Sequence, residues 1–92
     1  MSSLPKTVGD AANQVISALD GESLGKLRQM EESDLVGLHF GLAMWIRNAF
    51  GLWGDNRPLL EDCSSADGYL SSLDPDEASM VILRAAWRRV RQ

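Results

Sequence analysis

The sequence predicts an all-α protein, a compact single-domain bundle of about five helices around a central apolar helix over about 32–50. Apolar residues recur at the helical spacing of 3.6 in several segments, and no segment alternates apolar and polar residues as a half-buried strand does. Helix-capping residues stand at the start of these segments. The 92 residues are 45% hydrophobic, which is ordinary for one folded domain and too apolar for a disordered chain.

The first helix is predicted over about 8–19 and follows residues 1–6, which we expect to be a flexible N-terminal arm. The single helical domain then covers 7–92. Thr7 is the predicted N-cap of the first helix, and Asp10 completes an arrangement similar to a capping box. The apolar face of this helix consists of Val8, Ala11, Ala12, Val15, Ile16 and Leu19.

The second helix is short, over about 21–29, and Asp20 is its predicted cap. The third helix, over about 32–50, is assigned as central because apolar residues occupy more than one of its faces, as contact with several helices requires. Trp45 is placed in the core for the same reason. Gly51 stands where a residue with positive φ commonly ends a helix.

Two more helices are predicted in the second half of the chain. Asn56 can cap a short helix over about 57–63, and the Ser-rich segment 64–73 is expected to be a loop. The last helix has the clearest start signal, because Asp74 is followed by a proline at the first helical position and by two acids in the first turn. We expect it to end at about residue 90.

The middle of the chain carries a block of residues that is long enough to be specific. It consists of Leu38-His39-Phe40, then Trp45-Ile46-Arg47-Asn48, then Phe50-Gly51-Leu52-Trp53. With this block the chain resembles, over about residues 5–90, a small bacterial family of uncharacterised helical domains that share the pattern L-H-F-x-L-x-x-W-I-R-N-x-F-G-L-W. The chain departs from that family at Leu73, where the pattern has a histidine. The resemblance implies no activity, cofactor or catalytic residue.

Charge and composition restrict the compartment and the partners. The net charge is −4, yet residues 84–92 hold four arginines and no acid. The longest apolar stretch has about twelve residues, whereas a membrane span needs ~20, so we expect no membrane association. The N-terminus lacks the pattern of a signal peptide, and the lone Cys63 excludes an internal disulfide. We therefore expect a cytoplasmic protein in which Cys63 is a passive apolar residue.

Five residues are candidates for contact with a partner, namely Trp53, Arg47, Asn48, His39 and Asp55. Trp53 follows a glycine, and exposed Trp and Arg are typical anchors of interfaces, although Trp53 can equally pin its loop to the core. Arg47 can instead tie the fold together through an aspartate. The candidate aspartates are Asp55, Asp62, Asp74 and Asp76. For His39, the only histidine, both a buried hydrogen-bonded role and a pH-sensitive contact are open.

The sequence argues against an enzyme. It contains no Gly-rich phosphate loop, no His/Cys metal spacing and no second histidine for acid–base chemistry. His39 and Cys63 fall short of the three or four ligands that a zinc site needs. We therefore expect no catalytic, cofactor-binding or metal-binding residues, and no cofactor.

The expected function is that of a small acidic helical protein–protein interaction module that acts by stoichiometric binding, of the immunity, antitoxin or inhibitor type. Its acidic surface would steer it towards a basic protein. One alternative is a nucleic-acid-associated regulator that uses Arg84, Arg88 and Arg91 as a basic stripe, although an acidic domain repels phosphates. A homo-oligomeric structural protein is the other alternative, and the sequence leaves the oligomeric state open.

Overall fold

The computed structural model describes residues 4–38, 41–54, 56–66 and 74–92. Within these ranges the chain forms six helices and no strand. The helices are α1 (Val8–Ala18), α2 (Gly21–Gln29), a 3-10 helix (Glu32–Leu38), α3 (Leu42–Ala49), α4 (Arg57–Ala66) and α5 (Pro75–Val90). The prediction of an all-α, single-domain protein is confirmed, with one helix more than expected.

The central element is α5, which contacts each of the other five helices. Its start agrees with the sequence, because the Asp74 carboxylate accepts the backbone N–H of Glu77 at 2.8 Å and Pro75 occupies the first turn. A helix that is buried on several sides is the one around which the others pack. The buried residues of α5 are Ala78, Ser79, Val81, Ile82, Leu83 and Ala86.

The predicted central helix over 32–50 is wrong, because the structure divides this segment. The 3-10 helix ends at Leu38 and α3 begins only at Leu42, while residues 39–40 lie outside the described ranges. Gly41 has φ −105° and ψ −100°, which takes the backbone out of the helical region just before α3. Glycine costs about 1 kcal/mol relative to alanine within a helix, so this residue favours a break that apolar spacing does not reveal.

The assignment of Trp45 to the core is also wrong, since 41% of this residue is exposed. The face of α3 that packs against α5 is formed by Ala43, Ile46 and Arg47, all of which are buried. Trp45 lies away from that face and contacts Phe50 edge to face, with 5.6 Å between ring centroids. The helix therefore buries one side only.

The starts of α1 and α2 agree with the predicted caps. Thr7 accepts the backbone N–H three residues on at 3.1 Å, and the Asp20 carboxylate accepts that of Ser23 at 2.7 Å. The backbone and side-chain hydrogen bonds from Ser23 lower the pKa of Asp20 below its ordinary value. Helix α1 has a further cap from a distant element, because Asp62 of α4 accepts the N–H of Val8 at 2.7 Å.

The sequence predicted a flexible arm over 1–6, but Pro5 within this segment is buried. Its carbonyl accepts a hydrogen bond from Asn56 Nδ2 at 2.7 Å. The same amide donates to the carbonyl of Phe50 at 2.9 Å, and Asn56 is fully buried. Asn56 thus joins the N-terminal segment to the end of α3, and residues 1–3 lie outside the described ranges.

Helix α4 begins at Arg57 as predicted and extends to Ala66, three residues beyond the expected end. Leu59 and Cys63 lie in the core on its inner side. The predicted loop 64–73 is therefore helical in its first three residues, and its remainder, 67–73, lies outside the described ranges.

Candidate functional site

The outward face of α3 carries large apolar side chains that are exposed to solvent. Met44 is 39% exposed and Trp45 is 41% exposed. Asn48, one helical turn after Met44, is also exposed. Aromatic residues and methionine are enriched in protein interfaces, whereas charged residues are depleted at interface centres. The face of α3 that packs against α5 is buried, and the opposite face exposes side chains of the kinds that are common in protein interfaces.

The turn after α3 brings a second tryptophan to the surface. Gly51 and Gly54 have φ values of 69° and 144°, in the region that glycine adopts without strain. Gly51 follows the C-cap and confirms the predicted end of the helix. Leu52, between them, is fully buried and anchors the turn in the core, and Trp53 is 64% exposed.

Two neighbouring side chains hold the Trp53 indole in place. Its Nε1–H donates to Asn48 Oδ1 at 2.7 Å, and the Arg47 guanidinium carbon lies 5.9 Å from the ring centroid. Trp53, Asn48 and Met44 thus form one exposed surface on α3 and its turn, called the Trp53 surface below. An indole that is already held loses less conformational entropy when a partner binds to it.

Arg47 itself is buried, with 2% of the residue exposed. Its Nη1 donates to Ser79 Oγ at 3.1 Å, and Ser79 Oγ donates to the carbonyl of Asp76 at 2.8 Å. Its Nε lies 3.5 Å from the carboxylate of Asp76, one of the four candidate aspartates. These contacts tie α3 to the first turn of α5, and Arg47 supports Trp53 from below the surface.

Three exposed carboxylates lie at the start of α5, Asp74 as its N-cap and Asp76 and Glu77 in its first turn, and Arg47 contacts both Asp76 and Trp53. Asp74, Asp76 and Glu77 are all exposed. We call these three carboxylates the acidic rim. Asp76 is partly neutralised by Arg47, so the remaining negative charge of the rim comes from Asp74 and Glu77.

A groove lies between α1 and α3 on the other side of Trp45. It is open to solvent, has a volume of about 400 Å³ and is lined by Leu4, Gln14, Ser17, Ala18, Trp45, Ala49 and Phe50. The small residues Ser17, Ala18 and Ala49 leave room between the two helices, while Trp45 and Leu4 are the large, exposed members. We call this feature the Trp45 groove. None of its lining residues carries a formal charge.

The predicted basic stripe at the end of α5 makes contacts within the chain. Arg84 Nε and Arg88 Nη2 lie 3.4 Å and 3.9 Å from the Glu32 carboxylate. Arg91 donates to the carbonyl of Met30 at 2.7 Å. The stripe therefore holds the 3-10 helix and the end of α2 against α5. Nucleic-acid binding through these residues stays a prediction.

The other sequence candidates are placed as follows. His39 and Asp55 lie outside the described residues. Cys63 is buried, and burial, with a smaller effect of the Asp62 charge, raises the pKa of its thiol to about 12. A thiol held neutral in this way is a poor nucleophile at ordinary pH. In the ranges that the structure describes, no group of three or more His, Cys, Asp and Glu residues could hold a metal ion.

Sequence reasoning missed residues whose partners are distant in the chain. The exposure of Trp45, the bridge from Asn56 to Pro5 and the cap of α1 by Asp62 all depend on how the helices pack. No local signal identifies them, because each partner lies more than 50 residues away or on another helix.

The fold and these two surfaces define a small all-α domain with exposed aromatic side chains. No helix in the part of the chain that is described has the length and apolar content needed to cross a membrane. The family described as "Domain of unknown function (DUF6794)" matches residues 4–90, and the chain belongs to this family. The comparisons with curated proteins and with solved structures gave no match. The matched range agrees with the expected coverage of a family of uncharacterised domains.

Proposed function

We propose that this protein is a small acidic interaction module that acts in the bacterial cytoplasm by stoichiometric binding of another protein, in the manner of an immunity protein, an antitoxin or an inhibitor. The Trp53 surface is the proposed contact. The observation that carries the proposal is the exposed Trp53 indole, which Asn48 and Arg47 hold in one position. Tryptophan is the residue type most strongly associated with interface energy, and a held side chain loses little entropy on binding.

The charges around this surface favour a basic partner. The chain has a net charge of −4, and Arg47, which lies against the Trp53 ring, also pairs with Asp76 of the acidic rim. Lysine and arginine residues of a partner would be attracted to this rim during approach, and rim charges act chiefly on the association rate. Added salt is therefore expected to weaken the complex.

Affinity purification of the protein from its host tests this proposal. The wild type, Trp53→Ala and Val36→Ala are compared, since Val36 is 70% exposed on the 3-10 helix and gives a matched loss of an exposed apolar side chain. We expect the wild type and Val36→Ala to recover one basic protein at defined stoichiometry. Trp53→Ala should recover at least about tenfold less, as for an interface anchor.

Recovery of no partner by the wild type across several growth conditions contradicts the proposal. Equal recovery of the partner by the wild type and by Trp53→Ala would show that the Trp53 surface is not the binding contact. A recovered partner that is acidic, or whose binding strengthens with salt, contradicts the charge argument.

A further inference from the structure

The Asn48 side chain on the Trp53 surface has a fixed orientation. The indole N–H is a hydrogen-bond donor only, so the amide atom that it contacts at 2.7 Å must be the oxygen. The Nδ2 of Asn48 leaves the amide carbon in a different direction and is turned away from the indole N–H. Asn48 is exposed, and this nitrogen carries two N–H donors. The Trp53 surface therefore presents hydrogen-bond donors beside an aromatic ring.

The Trp53 ring offers a partner apolar surface and no further hydrogen bond. Its N–H is already used by Asn48, and 64% of the residue is exposed. The buried Arg47 lies against the ring, with its guanidinium carbon 5.9 Å from the ring centroid. A lysine or arginine of a partner that stacked on the ring would lie opposite the Arg47 charge, so an uncharged group fits this position better.

We propose that the Trp53 surface binds a proline-rich segment of its partner, in which a proline ring packs on the indole and a backbone carbonyl accepts a hydrogen bond from Asn48 Nδ2. This binding mode rests on the proposed function and names the chemistry of the partner at the same surface. Proline has a carbonyl and no backbone N–H, so it matches a site that offers donors beside a ring. Proline-rich segments are extended and stiff, and they form no internal hydrogen bonds. Their carbonyls are therefore free to accept, and they lose little entropy on binding.

Other ways of binding a peptide fit the Trp53 surface less well. Addition of a strand needs a sheet edge, and the chain forms no strand in the ranges that are described. A helix uses most of its carbonyls internally, so it would leave Asn48 Nδ2 without an acceptor. A phosphorylated segment needs exposed arginines, whereas Arg47 is buried and pairs with Asp76. The net charge of −4 favours lysines among the prolines of the partner.

Titration of the isotope-labelled protein with synthetic peptides, followed by NMR, tests the proposal. The probe is acetyl-Lys-Pro-Pro-Lys-Pro-Pro-Lys-amide, and a second peptide with alanine in place of each proline has the same charge. We expect the proline peptide to shift the indole N–H of Trp53 and the side-chain amide of Asn48, with a dissociation constant of about 0.1–1 mM. The indole N–H of Trp87, which donates to the carbonyl of Met30, should not shift. The alanine peptide should bind at least about fivefold more weakly, because it lacks the stiff extended backbone.

Two variants isolate the hydrogen bond that Asn48 donates. Asn48→Asp keeps an oxygen for the indole N–H and removes the donor, while its added negative charge would attract the lysines of the probe. Gln14→Glu makes the same change from amide to acid at an exposed position of α1. We expect Asn48→Asp to bind the proline peptide at least about fivefold more weakly than Gln14→Glu, as for the loss of one hydrogen bond. The comparison of the two peptides on the wild type does not depend on the folding of any variant.

A Trp53 resonance that does not shift at about 5 mM proline peptide overturns the proposal, and so does equal affinity of the wild type for the two peptides. Equal binding by Asn48→Asp and Gln14→Glu also overturns it, because Asn48 would then donate no hydrogen bond to the peptide. Failure of the proposed function is a separate result. A protein partner that is recovered through Trp53, together with no binding of the proline peptide, would contradict the proline-rich segment only. Binding of the proline peptide without any recovered protein would contradict the stoichiometric module only.

Discussion

Asn56→Asp replaces one nitrogen by an oxygen, and we expect it to destabilise the fold severely. Asn56 is fully buried, and its Nδ2 donates to the carbonyls of Pro5 at 2.7 Å and of Phe50 at 2.9 Å. A carboxylate has no hydrogen to donate, so the substitution places negative charge against two carbonyl oxygens. The N-terminal segment and the end of α3 would lose the group that joins them.

The expected loss in the free energy of unfolding follows from the two carbonyl groups that lose their donor. Each buried carbonyl left without a donor costs about 1–3 kcal/mol, which gives about 2–6 kcal/mol for the pair. A small domain has about 5–15 kcal/mol in total, so the variant should be at or near the limit of folding. Burial favours the protonated form of the new acid, which raises its pKa in the folded state. The loss should therefore be smallest below the unfolded pKa of about 3.9 and should grow as the pH rises.

Urea unfolding followed by circular dichroism measures this loss. Asn48→Asp is the matched control, because Asn48 is exposed and its oxygen accepts from Trp53, a role that a carboxylate keeps. We expect the control to change the free energy of unfolding by less than about 1 kcal/mol. A loss below about 1 kcal/mol for Asn56→Asp at neutral pH would refute the assigned role of the buried amide.

Three further expectations follow from the same structure. In thermal melts, Trp45→Ala should lower the free energy of unfolding by about 2 kcal/mol, less than the ~3–5 kcal/mol typical of a core aromatic residue. Trp53→Ala should lower it by less than about 1 kcal/mol, and a larger loss would contradict the exposure of Trp53. The thiol of Cys63 should react with a thiol reagent only when the protein unfolds, and rapid labelling of the native protein at pH 8 would contradict its burial. Its pKa is about 12 in the folded protein, so the unfolded chain loses this proton at lower pH than the folded one. The free energy of unfolding should therefore fall as the pH rises from about 9 to about 12. Asp62→Ala should cost about 1 kcal/mol and increase hydrogen exchange at the Val8 amide; unchanged exchange there would exclude the cap.

Several elements could be predicted because their signals are local. The caps of α1, α2 and α5 each lie three residues from the N–H that they accept, so Thr7, Asp20 and Asp74 mark helix starts before any tertiary contact forms. Gly51 likewise ends α3 through its own backbone conformation. The positions of these helix ends depend only on residues that are neighbours in the sequence.

The candidate site was predicted in part. The sequence named Trp53, Arg47 and Asn48 among five candidate contact residues, and the structure brings these three together around the indole. It could not decide that Arg47 would be buried, or that Asp76 would be its counter-ion among four candidates, because that choice depends on how α5 crosses α3. The roles of these residues in binding stay predictions.

The sequence by itself determined the all-α class and the start of nearly every helix, since capping and apolar spacing act within one or two turns. The tertiary structure alone decided which helix is central. The apolar segment around Trp45 was the obvious candidate, yet α5 took that position and left Trp45 exposed on the far side of α3. The physical reason is that hydrophobic burial is not directional: an apolar residue gains from any contact, and only the packing of all the helices selects which contacts form.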